Sequence, residues 1–200
     1  MDDQLHPPRN IALVAAIFEG GLAVAAVGIG WITGRDALDS LPDTTDGVVK
    51  GLGYGLLATL PPLLLMWGCL KWPVGPIRGL VHLVDTLLVP MFRQCNLLEL
   101  AVISLLAGLG EEMLFRSIVQ QGVADGVGGT HGVWIGLVAA AVLFGLIHGI
   151  TPMYALLATA IGFYLGGLWI ATENLLVPIT AHAVYDFAVF VYLVRWRPIP

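Results

Sequence analysis

Residues 132–172 decide the fold of this chain, and they read GVWIGLVAAAVLFGLIHGITPMYALLATAIGFYLGGLWIAT. No Asp, Glu, Lys or Arg occurs in this stretch. A helix needs about 20 apolar residues to cross the hydrocarbon core of a bilayer, so the stretch is too long for one crossing. Thr151 and Pro152 interrupt it, and proline breaks a helix interior but is tolerated at a helix start. The sequence therefore predicts two membrane-spanning helices joined by a tight turn.

The composition of the whole chain indicates that it is surrounded by lipid. Of the 200 residues, 58% are hydrophobic and only 12% are charged, and the mean hydropathy is +0.86. A soluble domain carries about 25% charged residues because water must wet its surface. The net charge of -5 comes largely from Asp2, Asp3 and the aspartates within residues 36–46. We therefore expect membrane lipids as partners, and the charge gives no indication of nucleic-acid binding.

The same length criterion, applied to the whole chain, predicts an all-α fold, a polytopic transmembrane helical bundle with about six spans. The predicted spans are residues 10–33, 51–70, 96–121, 132–150, 153–171 and 175–194. Asn96, followed three residues later by Glu99, has the pattern of a capping box, which predicts where the third span begins.

An additional helix is predicted between the second and third spans. Arg78, His82 and Asp85 fall on one side of it. The other side is apolar and consists of Ile77, Leu80, Val81, Val84, Leu87, Leu88 and Met91. Such an amphipathic pattern beside membrane spans is typical of a helix that lies in the membrane interface.

The predicted helices divide the chain into two segments. Residues 1–95 contain two N-terminal spans, an acidic loop and the amphipathic segment, and residues 96–200 contain a four-helix core. Six spans place both termini on one side of the membrane. That side also carries most of the cationic residues, namely Arg9, Lys71, Arg78, Arg93, Arg195 and Arg197, whereas Arg35 and Lys50 lie on the other. The positive-inside rule therefore predicts a multi-pass protein with both termini in the cytoplasm.

Ionisable residues inside the predicted spans are concentrated in the second half of the chain. Each costs roughly 3 kcal/mol on insertion scales, so such groups usually line a polar cavity, pair with one another or take part in chemistry. They are Glu111, Glu112, Arg116, His148, His182 and Asp186. Glu19 stands alone in the first span, and we interpret it as a packing or rim residue.

Helical spacing separates the parts that these residues can play. Glu112 and Arg116 are four residues apart and can form an ion pair. Glu111 points about 100° away from Glu112, which makes it the freer carboxylate. His182 and Asp186 are also four apart, a spacing that suits a metal-binding pair or a carboxylate that orients a histidine.

The position of His148 along its span raises a question. Phe144 and His148 are four residues apart, which places an apolar side chain one turn from an imidazole. A rise of about 1.5 Å per residue places the carboxylates of the third and sixth spans, and His182, roughly 10 to 17 Å deep. The same counting places His148 at about 24 Å. For His148 to join them, its helix must tilt or the turn at Pro152 must sit high in the membrane.

Three motifs in these spans resemble those of the CPBP family, the CAAX protease and bacteriocin-processing enzymes, which are integral-membrane peptidases. The first motif, two glutamates followed four residues later by arginine, is residues 111–116. The second, Phe-x-x-x-His, is residues 144–148, and the third, His-x-x-x-Asn or Asp, is residues 182–186. The resemblance covers roughly residues 96–195. Ser117 replaces a glycine that is common in the family, and Asp186 stands where asparagine is frequent.

The resemblance implies an intramembrane endopeptidase in which Glu111 activates the hydrolytic water. The implied catalytic residues are Glu111, Glu112, His148, His182 and Asp186, with Arg116 and Phe144 as supporting residues. His148, His182 and Asp186 would hold a metal ion, stabilise the oxyanion, or both. Two imidazoles with one or two carboxylates can bind Zn²⁺ and leave an open position. The same residues can also act without metal, as a glutamate base with histidine donors.

The sequence leaves open the substrate class and two other functions, a transporter and a non-catalytic scaffold. Some relatives cleave prenylated C-terminal tripeptides and others cleave leader peptides, so we expect a peptide or protein substrate that is membrane-associated or prenylated. A proton-coupled transporter could also use buried Glu, His and Asp side chains, although such proteins usually show repeated halves, and none is visible here. A non-catalytic scaffold or immunity protein could retain the motifs for stability.

Overall fold

The computed structural model describes residues 10–198, and this part of the chain is helical without any strand. The predictions that involve Arg9 and the two termini lie outside the described residues. The helices are α1 (Ile11–Thr33), α2 (Thr45–Ala58), α3 (Leu60–Lys71), α4 (Pro76–Leu83), α5 (Val89–Phe92), α6 (Leu97–Glu112), α7 (Gln121–Val127), α8 (Gly129–Ile147), α9 (Pro152–Thr172) and α10 (Leu176–Val191). Three π-helical segments join or extend them, at Val84–Leu88, Met113–Gln120 and Tyr192–Trp196.

The prediction of an all-α, polytopic bundle is confirmed. Within the described residues, five helical stretches are long and apolar enough to cross a membrane, and they are Ile11–Thr33, Thr45–Lys71, Gly129–Ile147, Pro152–Thr172 and Leu176–Trp196. The predicted third span runs as one helical stretch through α6, the π-helical segment and α7. Its charged middle gives it a different character from the other five. The protein is therefore an integral, multi-pass membrane protein.

Local capping signals account for where several helices begin. Asn96 and Glu99 form the expected capping box, in which the Glu99 amide donates to Asn96 Oδ1 at 2.9 Å and the Asn96 amide donates to Glu99 Oε2 at 2.7 Å. Thr151 Oγ1 accepts from the Tyr154 amide at 3.1 Å, so α9 starts at the predicted turn. The second span begins earlier than predicted because Thr44 caps a polar first turn that the apolar pattern does not include.

Small residues let α6 and α10 approach each other closely. A Cβ atom built on Gly108 would lie 2.8 Å from the Cβ of Ala183 and 2.9 Å from the carbonyl oxygen of Ile179. Glycine at such positions allows helix backbones to come together in a membrane, where apolar surface alone gives little driving force for association. Helix α6 thus lies between α1 and α10, and α10 also packs on α2. Helices from both predicted segments of the chain therefore surround the charged middle of the third span.

The predicted amphipathic helix is present as α4 and α5 joined by a π-helical segment. Arg78 and His82 are exposed, as expected. Asp85 differs from the prediction, since it is buried and both of its oxygens accept hydrogen bonds from Arg197, at 2.6 and 3.0 Å. Local periodicity could not show this pair because its partners are 112 residues apart. The location of this helix in the membrane interface stays a prediction.

Candidate active site

One cavity, of about 400 Å³, lies between α1, α3, the α4–α5 helix, α6, α9 and α10. Most of its lining is apolar. Its carboxyl and imidazole side chains are Glu19, Glu111, His148, His182 and Asp186, and the aromatic ring of Phe144 lies among them. The structure therefore brings four of the five predicted catalytic residues to one space. The exception is Glu112, which does not line the cavity.

Glu111 projects into the cavity from the last turn of α6. Its side chain is buried, with 6% of the residue exposed, and Oε2 has no hydrogen-bond partner within the described residues. This oxygen lies 3.7 Å from Nε2 of His148. The helix changes to π-helical winding immediately afterwards, at Met113, and such segments are frequent at functional sites. Glu111 is therefore a buried carboxyl that retains the capacity to accept a hydrogen bond.

Glu112 is the opposite case, a fully buried carboxylate with both oxygens occupied. Oε2 accepts from Arg116 Nε at 2.7 Å, and Oε1 accepts from His182 Nδ1 at 2.9 Å. Arg116 donates further to the carbonyl oxygen of Gly162 at 3.2 Å and to Gln120 at 3.5 Å. The ion pair expected from helical spacing is thus part of a larger network behind the cavity. Glu112 contacts the cavity residue His182 but does not reach the cavity itself.

His182 is held between two carboxylates. A carboxylate accepts but does not donate when ionised, so Nδ1 must carry the hydrogen in its contact with Glu112. On the other side of the ring, Nε2 lies 3.5 Å from Asp186 Oδ2. A carboxylate on the far nitrogen fixes the orientation of an imidazole, as it does in many enzyme sites. The Nε2 edge of His182 is thereby directed towards the cavity.

His148 is oriented by backbone rather than by a carboxylate. Nδ1 lies 2.7 Å from the carbonyl oxygen of Phe144, and because a carbonyl only accepts, the hydrogen is on Nδ1. The ring stacks on Phe144 at a centroid distance of 4.4 Å, while the Phe144 ring also contacts that of His182 edge-on at 6.1 Å. Phe144 thus supports both histidines. Each histidine uses Nδ1 for its fixed contact, while Nε2 of His148 faces Glu111 and Nε2 of His182 faces Asp186.

Packing of α8 explains how His148 reaches Glu111. Helix α8 lies against the Met113–Val127 part of the third span, with Gly132 and Gly136 next to Ala124 and Gln120. The two helices run in opposite directions, so the end of α8, next to His148, is level with the end of α6, which carries Glu111.

The predicted metal ligands do not have the geometry of a metal site. Within residues 10–198, no group of three or more His, Cys, Asp or Glu side chains converges in a way that could hold one. A structural or catalytic zinc site needs three or four ligands at about 2.0 to 2.3 Å from the ion. The predicted ligands His148, His182 and Asp186 do not fit this requirement in the described arrangement. We therefore derive no chemical step through a metal.

Glu19 is a cavity residue that sequence reasoning did not assign to the site. It comes from α1, which packs on α6 where Gly110 has no side chain, and a Cβ on Gly110 would collide with the carbonyl oxygen of Glu19. This contact places the Glu19 side chain next to Glu111. The only sequence signal was the cost of a lone carboxyl inside an apolar span.

Comparisons with known proteins match the part of the chain that carries the three motifs. A family model described as "Type II CAAX prenyl endopeptidase Rce1-like" matches residues 93–188, a range that includes all three motifs and excludes α1. The uncharacterized protein YpbD of Bacillus subtilis (strain 168) is 30% identical over 181 residues, which are 88% of this chain and 84% of YpbD. No solved structure matches significantly.

Proposed function

This chain belongs to the CPBP family, and its residues 93–188 match the Rce1-like family model. From that premise we propose that it hydrolyses peptide bonds with a water activated by Glu111. The observation that carries the proposal is the meeting of Glu111, His148 and His182 at one end of a largely apolar cavity. Glu111 has a buried oxygen without a partner, and each imidazole is fixed through Nδ1.

The proposed first step forms the bond between water and the scissile carbonyl carbon. Glu111 accepts one proton from the water while the water oxygen attacks, and the carbonyl electron pair moves onto oxygen. His182 is the proposed donor to this oxyanion, because carboxylates face both of its nitrogens and so favour a ring that donates at each. Asp186 and Glu112 hold that ring in position.

The proposed second step breaks the C–N bond. Glu111 returns its proton to the leaving nitrogen as the carbonyl re-forms, which gives a carboxylic acid and an amine and leaves Glu111 as it started. Nε2 of His148, 3.7 Å from Glu111 Oε2, can accept the hydrogen of the protonated carboxyl in between. The apolar remainder of the cavity supports a peptide substrate that is membrane-associated or carries a prenyl group.

The test measures cleavage by purified protein in lipid vesicles, using a prenylated CAAX peptide and an unprenylated copy of it. We expect Glu111→Gln to lower turnover by about 10² to 10⁴-fold, the usual contribution of a general base. Glu99→Gln is the matched control, since Glu99 caps α6 outside the cavity and glutamine can cap as well. Undiminished cleavage by Glu111→Gln would favour a different catalytic residue. If the wild-type protein cleaves neither peptide, a transporter or a non-catalytic scaffold would be favoured.

Zinc held by His148, His182 and Asp186 is the competing proposal for how the oxyanion is stabilised. Metal analysis of the purified, active protein decides between the two. One equivalent of zinc that is lost in His148→Ala together with activity would support the metal. Full activity in metal-free protein would support the glutamate and histidine mechanism.

A further inference from the structure

Glu19 is a buried carboxyl of the cavity that belongs to none of the three motifs. Its Oε2 is buried and has no hydrogen-bond partner within the described residues, a property that it shares with Oε2 of Glu111. Both side chains line the same cavity, and the carboxyl of Glu19 lies within hydrogen-bonding reach of that of Glu111. Leaving one such group buried and unpaired is costly, so two of them facing one space need an explanation.

The chemistry of water supplies that explanation. A carboxylate oxygen only accepts hydrogen bonds, and a water molecule has two hydrogens to donate. Two neighbouring carboxyls that line one cavity can therefore bind the two hydrogens of one water through their acceptor oxygens. A water held in this way has its lone pairs directed away from both carboxyls, which is the orientation that an attack on a carbonyl carbon requires.

We propose that Glu19 is a further residue of the catalytic site, which orients the hydrolytic water that Glu111 deprotonates. Glu111 removes one hydrogen and Glu19 accepts a hydrogen bond from the other, so no proton is transferred to Glu19. The inference rests on the proposed peptidase function. It adds a contribution from α1, a helix outside the residues that the family model matches.

The structure also shows why Glu19 can hold such a position. The contact between Gly110 and the backbone of α1 at Glu19 and Ala23 fixes the height of α1 relative to the end of α6. Glu19 is consequently located by backbone packing, which brings its carboxyl beside that of Glu111.

The test compares Glu19→Leu and Glu19→Gln in the vesicle cleavage assay, with melting temperature measured on the same preparations. Leucine removes the acceptor and an unpaired buried carboxyl, so we expect kcat to fall about tenfold or more while KM changes little and thermal stability is kept or raised. Glutamine retains an acceptor oxygen, so we expect Glu19→Gln to keep most of the turnover. Phe18→Leu is the matched control, because Phe18 lies on the same helix and is 64% exposed.

The outcomes separate this inference from the proposed function. If Glu111→Gln is inactive but Glu19→Leu turns over like the wild type, the inference is wrong and the peptidase function stands. Equal losses in Glu19→Gln and Glu19→Leu would show that an ionisable carboxyl is needed and would overturn the orienting role. A joint loss of turnover and thermal stability in Glu19→Leu would assign a structural role instead. Equal cleavage by wild type and Glu111→Gln would reject the proposed function itself.

Discussion

Two regions around the end of α6 have opposite electrostatic character, although Glu111 and Glu112 are adjacent in the chain. Behind the cavity, Glu112, Arg116 and His182 form a buried network in which both carboxylate oxygens are bound. In the cavity, Glu111 and Glu19 each have an oxygen without a partner. The bound carboxylate of Glu112 is held in one arrangement, although Nη2 of Arg116 has no hydrogen-bond partner within the described residues. An unsatisfied buried carboxyl, in contrast, costs stability and is available for chemistry. One residue step along a helix can therefore separate a supporting carboxylate, Glu112, from a reactive one, Glu111.

The largest expected effect comes from breaking the network with Arg116→Met. The substitution leaves the Glu112 carboxylate buried without its cation, and removing one partner of a buried pair costs about 3 to 5 kcal/mol. We expect a strongly lowered melting temperature in detergent and poor recovery of monodisperse protein.

The control for Arg116→Met is Arg35→Met. Arg35 pairs with Asp125 where both side chains are partly exposed, and exposed pairs contribute about 1 kcal/mol or less. A similar loss of stability in both variants would mean that the buried network has no special role.

The next largest effect is expected from Gly108→Ala, which alters the distance between the two regions. The added Cβ meets Ala183 and the Ile179 carbonyl at the contact between α6 and α10, and overpacking of this kind costs about 1 to 3 kcal/mol. Glu111 lies on α6 and His182 on α10, so we expect cleavage to fall together with melting temperature. Gly21→Ala is the control, because nothing lies within 4 Å of the added atom. Equal behaviour of the two alanine variants would contradict the role of this contact.

The smallest expected effect is in the α4–α5 helix, where Asp85→Asn weakens the pair with Arg197. This pair joins the α4–α5 helix to the end of the chain, and losing its charge-assisted hydrogen bonds costs about 1 to 2 kcal/mol. Hydrogen exchange should quicken in residues 76–92 and stay unchanged around Glu111. His82→Gln, at an exposed position on the same helix, should leave exchange as in the wild type. Faster exchange around Glu111 as well would mean that the α4–α5 helix and the site are not independent.

Relations within a single helix could be predicted from the sequence, and relations between helices could not. Spacing alone indicated that Glu112 pairs with Arg116 and that Glu111 points elsewhere, because 3.6 residues per turn fixes these directions. The level of His148 depends on how α8 packs against a neighbouring helix.

Two contacts that the sequence did not predict depend on packing in the same way. Glu19 reaches the cavity because Gly110 admits α1, and Asp85 is buried because Arg197 returns to it from the end of the chain. Neither contact leaves a periodic signal in a sequence, since each joins residues that are far apart.

The most direct test of the division between the two regions measures cleavage and melting temperature for Glu111→Gln and Glu112→Gln in the same vesicles. We expect Glu111→Gln to lose turnover by about 10²-fold or more while its melting temperature stays at or above that of the wild type. Glu112→Gln should lower the melting temperature, because it removes the counter-charge of buried Arg116. A Glu111→Gln protein that cleaves normally, or that is destabilised as much as Glu112→Gln, would contradict the division.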